Sequence, residues 1–275
     1  MSIENFANEL PPVARLTNLE NYLVEEDRTS PIDAFTRGIK EILSQGSEEF
    51  LQSSGYIGRL LVLAVVASAE SYFRTVLSMA MELCPLSKAN ASEKTINLGG
   101  LLWHGHQRYS YSAFDNASFS SAQEIRKATR EYISFNLDDS IFKIPLEEFD
   151  KVCQFRHGIV HGDGFLPGKN AVKLDIRQYD RPVRITIRYQ QLQEVTAVVN
   201  TLVVLFNRQL FSEFCHRWAI GWRRRADWRP ESEGESFSRI WAIFHSQEEW
   251  ERRRDRAAIN QAACLELVRN TYQLR

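Results

Sequence analysis

One short segment of the chain carries an arginine and two histidines within six residues. Arg156, His157 and His161 lie in the sequence FRHGIVH. Arginine keeps its positive charge at physiological pH, and its planar guanidinium fits a phosphate group. Histidine titrates near neutral pH and can take or give a proton. These groups could cleave RNA through its own 2′-hydroxyl, because that reaction needs a proton carrier and a fixed positive charge beside the phosphoryl oxygens.

The spacing of the three residues sets their directions on a helix. His157 and His161 are four residues apart and share one face. Arg156 and His161 are five apart, so on an ideal helix they point about 140° away from each other. We expect either the long Arg156 side chain to reach around or the last turn to loosen at Gly158.

Two predicted helices position these groups. The helix that carries them is expected to begin near Pro145, with acidic residues in its first turn, and to end near Gly162. Glu70 lies in a second, mostly apolar helix predicted over 56–81. A carboxylate there needs a counter-charge, which makes Glu70 a candidate partner for Arg156; a solvent-reaching acid at a boundary position is the alternative.

Helical periodicity dominates the other parts of the chain as well. Further helices are predicted over 31–46, 121–135 and 192–214. Segment 87–119 has no sustained period and is expected to be a long ordered connection, which either packs against a functional part or contains short helices. The pattern changes to alternation over 171–176 and 183–189, which predicts a β-hairpin.

The segment from Arg156 to His161 matches the Arg-x4-His motif of the HEPN superfamily, in which a polar residue commonly follows the arginine, as His157 does here. The order of predicted helices over 57–215 is similar to that of a HEPN domain. The resemblance implies an all-α fold: a HEPN-like helical bundle with the β-hairpin inserted, an N-terminal helical extension over 1–56, and a Trp- and Arg-rich helical extension over 216–275.

The resemblance also implies a function, that of a metal-independent endoribonuclease that leaves a 2′,3′-cyclic phosphate and needs no cofactor. Arg156 would stabilise the phosphoryl charge, His161 would be the acid or base, and His157 would orient them or contact RNA. Family members usually form homodimers through the motif helix, and many are toxins or antiviral effectors, so an antitoxin or defence-system partner is implied. Asp163 stands where one subgroup has a modifiable tyrosine. Other members are non-catalytic modules that bind RNA, nucleotides or proteins.

Simpler interpretations compete with this one. The three residues could be basic groups favoured by the helix dipole, without chemistry. His157, His161 and Asp163 could bind zinc, although matching further ligands are not evident. A second basic cluster, Arg223, Arg224 and Arg225 among several tryptophans, could contact RNA or could be a solvated face with buried tryptophan anchors.

Composition restricts the class of protein. Hydrophobic residues make up 44% and charged residues 25% of the chain, which excludes a wholly disordered or fibrous protein. The net charge of -1 provides no global positive field, so RNA binding would need a local patch. The scattered cysteines form no CxxC pair, and the longest apolar run, 60–69, is shorter than the roughly 20 residues of a membrane span. We expect a cytoplasmic protein without a secretory signal or membrane association.

Overall fold

The computed structural model describes residues 13–26, 29–253 and 259–274, and its regular structure is helical. Thirteen α-helices occur in the described residues. They are α1 (Pro31–Ser44), α2 (Glu48–Ser53), α3 (Gly55–Leu83), α4 (Pro85–Ala91), α5 (Leu98–His104), α6 (Tyr109–Ser112), α7 (Ala122–Ile133), α8 (Asp139–His161), α9 (Gly168–Lys173), α10 (Tyr189–His216), α11 (Glu233–Phe244), α12 (Gln247–Arg253) and α13 (Gln261–Thr271). The predicted all-α class is confirmed.

The three long helices α3, α8 and α10 meet in an aromatic core. The ring centroid of Phe73 on α3 lies 5.1 Å from that of Phe206 on α10, with the rings perpendicular, and 6.4 Å from that of Phe149 on α8. All three side chains are fully buried, so each contributes the full burial of a large apolar side chain. This core holds the motif helix α8 in place along most of its length.

Two stretches, α3 and Tyr189–Arg224, are long and apolar enough to cross a membrane by length and composition alone. In their most apolar parts, 50% of the residues of α3 and 44% of those of the second stretch are buried within the protein. Core helices of soluble proteins have the same properties, so these two helices are weak evidence for membrane insertion.

The connection over 87–119 contains short helices, which was one of the two expectations for it. Helices α4, α5 and α6 lie within or beside this connection. Arg74 on α3 holds the end of this connection in place, because the Arg74 guanidinium donates to the carbonyl oxygens of Phe114 at 3.3 Å and Ala117 at 3.1 Å. The aperiodic sequence therefore reflects several short elements that are held by contacts with α3.

The motif helix α8 begins six residues earlier than Pro145, where the sequence predicted its start. Asp138 caps it by accepting a hydrogen bond from the backbone N–H of Ser140 at 2.8 Å. Pro145 therefore lies inside the helix, where its missing N–H leaves the carbonyl of Ile141 without its usual helical donor. The core contacts of α8 compensate for this local cost.

The predicted β-hairpin is absent from the described residues. Residues 168–173 form α9, and the extended chain after it makes a single antiparallel bridge, between Phe165 and Arg184. The alternation over 171–176 does not mark a buried face, because Val172 is 80% exposed. The alternation over 183–189 does mark a buried face, since Ile185 and Ile187 are buried and the residues next to them are more exposed. These two side chains pack on helices rather than on a partner strand.

Glycines allow this extended chain to approach two helices. A Cβ atom at Gly58 of α3 would lie 2.1 Å from the carbonyl oxygen of Ile187, and one at Gly158 of α8 would lie 2.9 Å from Cδ1 of Ile185. At Gly58 the close atom belongs to the backbone, so no other residue type fits there without displacement of the chain. The absence of a side chain at Gly58 and Gly158 thus fixes residues 183–188 against the motif helix and α3.

The N- and C-terminal parts predicted as extensions share the same hydrophobic core as the bundle. Asp33 on α1, 6% exposed, accepts hydrogen bonds from Ser246 Oγ and, at 2.9 Å, from the backbone N–H of Gln247 at the start of α12. At the C-terminal end of α10, Arg217, also buried, donates to the carbonyl oxygens of Ile133 at 2.6 Å and Ser134 at 3.1 Å. Polar contacts therefore connect both terminal parts to the bundle.

Candidate active site

The C-terminal end of α8 presents the motif side chains at the surface. Arg156 and His157 are partly exposed and His161 is exposed. Behind them Gly162 lets the chain turn back, because a Cβ atom there would lie 2.4 Å from the carbonyl oxygen of Phe165. At the end of the helix, the side chains of Arg156, His157 and His161 are therefore in contact with solvent, and the glycine lies against the returning chain.

The two histidines lie side by side, as their spacing predicts. Their ring centroids are 4.6 Å apart, with the ring planes at 48°. At this distance the protonation of one ring opposes the protonation of the other. A positive charge on His161 therefore disfavours the charged form of His157.

Arg156 points toward α3 and pairs with the residue expected from the sequence. Its Nη2 atom lies 3.9 Å from Oε1 of Glu70, with the Arg156 side chain 32% exposed and that of Glu70 17% exposed. The contact is long and partly solvated, so it orients the guanidinium more than it stabilises the fold. Arg156 forms no hydrogen bond with either histidine within the described chain, so a phosphate would have to join the two sides of the site.

The pKa of His157 is lowered from its ordinary value, first because burial disfavours the charged imidazole and then because positive charges surround it. These charges belong to His161, Lys169, Arg156 and Lys173. His157 is therefore held in its uncharged form at neutral pH, in which one ring nitrogen can accept a proton.

Lys169 and Lys173 were not identified from the sequence as site residues. They occur four residues apart on α9, the helix that forms where a strand was predicted, and both are exposed. Asn170, 1% exposed, connects α9 to α8 through its Nδ2 atom, which donates to Gln154 Oε1 at 2.8 Å. The spacing of the lysines would have indicated a shared face had the helix been predicted.

Asp163 follows the motif by two residues, and its carboxylate pairs with Arg184. Its Oδ2 atom accepts a hydrogen bond from Arg184 at 3.3 Å, and its side chain is 80% exposed. Within 13–26, 29–253 and 259–274, no three His, Cys, Asp or Glu side chains are grouped as metal ligands would be. The zinc alternative for His157, His161 and Asp163 therefore lacks its ligand set in the described structure.

The second basic cluster lies far from the motif. Residue 189, the start of α10, follows the chain that packs on Gly158, whereas Arg223 comes after the other end of this helix, which is about 42 Å long. Arg223 lies between the rings of Trp218 and Trp228, at 4.8 and 5.2 Å from their centroids.

The arginines of this cluster differ in their partners. Arg223 also pairs with Glu233, and Arg225 pairs with Asp227 at 2.8 and 3.0 Å. Arg224 is exposed. Two of the three guanidiniums thus make contacts within the chain, and Trp218 is a fully buried anchor. Within one chain this cluster cannot line the same cleft as the motif.

Thiol chemistry is disfavoured in this protein. All four cysteines are free and buried. Burial raises the pKa of Cys215 to about 12, and it also raises the pKa values of Cys153 and Cys264. A thiol that stays protonated at neutral pH is a poor nucleophile, so the imidazoles at the end of α8 are the better candidates for chemistry.

No protein-family model, curated protein or solved structure matches the chain. The residues at the end of α8 and their chemistry are therefore what indicates a function.

Proposed function

We propose that the protein is a HEPN-type endoribonuclease that cleaves RNA through attack of the 2′-hydroxyl and does not require a metal ion. One observation carries this proposal: Arg156, His157 and His161 reach the surface at the same helix end, beside two exposed lysines. A guanidinium and an imidazole pair in a solvent-accessible, positively charged place are the groups that this reaction uses.

Each side chain has a distinct part in the proposed reaction. A base removes the proton of the 2′-hydroxyl, the 2′-oxygen bonds to the adjacent phosphorus, and the bond to the 5′-oxygen breaks as an acid protonates that oxygen. His161, the more exposed imidazole, would exchange a proton with the RNA. His157, kept uncharged by its lowered pKa, would orient it, and Arg156 would balance the charge on the phosphoryl oxygens.

We propose further that two copies associate through the motif helix. Val160, next to His161, leaves 46% of its apolar side chain exposed at the surface that such a contact would cover. Association would bring the Arg156 of one protomer near the His161 of its partner. A cytoplasmic toxin or phage-defence effector, controlled by an antitoxin or another defence protein, is the role that fits such an enzyme.

An observation away from the motif favours a second candidate function, that of a non-catalytic protein-binding module. On α5 the side chains of Leu98, Leu102 and Trp103 are 68%, 78% and 80% exposed. Large apolar side chains exposed together are typical of surfaces that bind another protein. In such a module the motif would bind RNA or a nucleotide without cleaving it.

Incubation of the purified protein with mixed RNA in EDTA separates the two candidates. We expect cleavage that persists in EDTA, leaves 2′,3′-cyclic phosphate ends, and is lost in Arg156→Ala and His161→Ala. His106→Ala, which changes an exposed histidine in the connection, is the matched control and should cleave normally. Cleavage that His161→Ala retains, or no cleavage by the unaltered protein, would overturn the nuclease proposal.

A further inference from the structure

We propose that residues 165–188, here called the post-motif segment, form a binding platform for single-stranded RNA beside the motif. This inference rests on the proposed nuclease function, and it names the substrate class and the residues that hold the strand.

Charge is concentrated in the post-motif segment. It contains six cationic and two acidic residues, whereas the whole chain has a net charge of -1. The cations are Lys169, Lys173, Arg177, Arg181, Arg184 and Arg188, and all are exposed. Only Arg184 forms an ion pair with a residue that the structure describes. The other five are available to phosphate groups, which provide most of the affinity between proteins and nucleic acids.

The segment is fixed against the motif helix by backbone contacts. The N–H of Ile185 donates to the carbonyl oxygen of Gly164 at 2.8 Å, and the N–H of Leu166 donates to that of Val183 at 3.0 Å. The two ends of the segment are thereby joined next to the end of α8. A strand that lies along the platform therefore passes within reach of His157 and His161.

The extended part of the segment presents its polar residues in one direction. Ile185 and Ile187 are buried, so the alternating residues Arg184, Thr186 and Arg188 face solvent. Lys169 and Lys173 lie on one face of α9. Four of the six cations thus form two short rows, and a polyanionic chain fits such rows.

Exposed aromatic rings are interleaved with these cations. Phe165 is 41% and Tyr179 is 48% exposed. The guanidinium of Arg184 lies 4.4 Å from the ring centroid of Phe165, and that of Arg177 lies 4.8 Å from that of Tyr179. Unstacked bases can pack on such ring and guanidinium planes, whereas the bases of a duplex are already stacked on each other. This arrangement favours a single strand over a duplex or an acidic protein.

The test measures binding separately from cleavage. The full chain with His161→Ala is titrated against a 20-nucleotide unstructured RNA labelled with fluorescein, and anisotropy is recorded at several salt concentrations. Lys169→Glu with Lys173→Glu should weaken binding at least tenfold and reduce the salt dependence, because each phosphate contact contributes about 0.7 to its slope. Lys88→Glu with Lys143→Glu, an equal charge change at exposed sites outside the segment, should stay within twofold.

Two further measurements test the kind of RNA. Phe165→Ala with Tyr179→Ala should weaken binding about fivefold or more and leave the salt slope unchanged. A duplex of the same sequence should bind at least tenfold more weakly than the single strand. The proposal would be overturned if the control variant lost as much affinity as the lysine variant, or if the duplex bound as tightly as the single strand. Unchanged binding in either the lysine or the aromatic variant would overturn it as well. Thermal melting of each variant confirms that it is folded.

The outcomes also separate this inference from the nuclease proposal. If the platform variants bind and cleave RNA normally while Arg156→Ala abolishes cleavage, the platform proposal is wrong and the nuclease proposal is retained. If the unaltered protein binds single strands through the platform but cleaves none, the nuclease is wrong and the platform stands.

Discussion

At the scale of single residues, the environment of His157 is the feature with the clearest consequences. The residue lies beside another imidazole at 4.6 Å, and two lysines and an arginine add positive charge around it. The sequence predicted that Arg156, His157 and His161 would act together, and it offered Glu70 as a candidate partner of Arg156, with a solvent-reaching acid as the alternative. It did not predict the lysines, because their position depends on how α9 packs against α8.

Removal of these lysines should raise the pKa of His157. We expect Lys169→Met and Lys173→Met, singly and together, to move the pKa upward toward its ordinary value, because each removes a positive charge that disfavours the imidazolium. Titration of the His157 ring protons by NMR measures the shift. Lys143→Met, on the opposite half of α8, should leave the titration unchanged, and an equal shift in this control would contradict the assignment.

The same lowered pKa connects folding stability to pH. An unfolded chain binds a proton on histidine near pH 6.5, whereas folded His157 resists that proton. Its contribution to the free energy of unfolding is therefore fully present above about pH 6.5 and is lost as the pH falls from that value through the lower pKa of folded His157. Urea denaturation at several pH values should show that the free energy of unfolding falls less steeply at acid pH in His157→Gln than in the unaltered protein. If the free energies of unfolding of the two proteins fell equally with pH, His157 would not be a source of the pH dependence.

At the scale of elements, the site depends on how the post-motif segment returns along α8. The sequence predicted the long helices well, because their apolar periodicity reflects a shared core. It failed at residues 171–176, because Ala171 and Val172 lie on a short helix that ends at Lys173. Alternation predicts a strand only when a neighbouring strand satisfies its backbone, and that neighbour cannot be seen in local sequence.

Gly58 should be sensitive to the smallest substitution. In Gly58→Ala the added methyl group would lie 2.1 Å from the carbonyl oxygen of Ile187, so the extended chain or α3 must shift. We expect a loss of about 1–3 kcal/mol in the free energy of unfolding, measured by urea denaturation.

A second glycine provides the matched control for this prediction. A methyl group at Gly234 of α11 meets no atom within 4 Å, so Gly234→Ala should leave stability unchanged or raise it by up to about 1 kcal/mol. If both variants behaved alike, the close approach at Gly58 would not be a determinant of the fold.

At the scale of the whole molecule, the terminal parts belong to the bundle. Ser30 caps α1, since its Oγ accepts a hydrogen bond from the Asp33 N–H at 3.3 Å. Asp33 itself stands three residues after the cap, where an acid could close a local capping box. Its carboxylate instead accepts from Ser246 and Gln247, more than two hundred residues later in the chain. Contacts of this length leave no local pattern, so sequence reasoning could not find them.

Loss of the Asp33 carboxylate should loosen the start of α12. Asp33→Ala leaves the Ser246 hydroxyl and the Gln247 N–H without a buried acceptor, and we expect a loss of about 1–3 kcal/mol in stability. Hydrogen–deuterium exchange over 247–253 should increase. Asp139→Ala removes an acid whose side chain is 78% exposed and should cost less than about 1 kcal/mol. Slow exchange of α12 in Asp33→Ala would refute this role.

The contact between Asp33 and Ser246 also sets an order of events during translation. The two residues are 213 positions apart. At about 5–20 residues per second, the ribosome adds Ser246 roughly 10–40 seconds after Asp33. Until then the Asp33 carboxylate on the nascent α1 must stay hydrated. This opposes the packing of α1 in its final position. Arg156 and His161 are synthesised before the partner of Asp33, so the residues of the motif emerge well before the bundle around them can close.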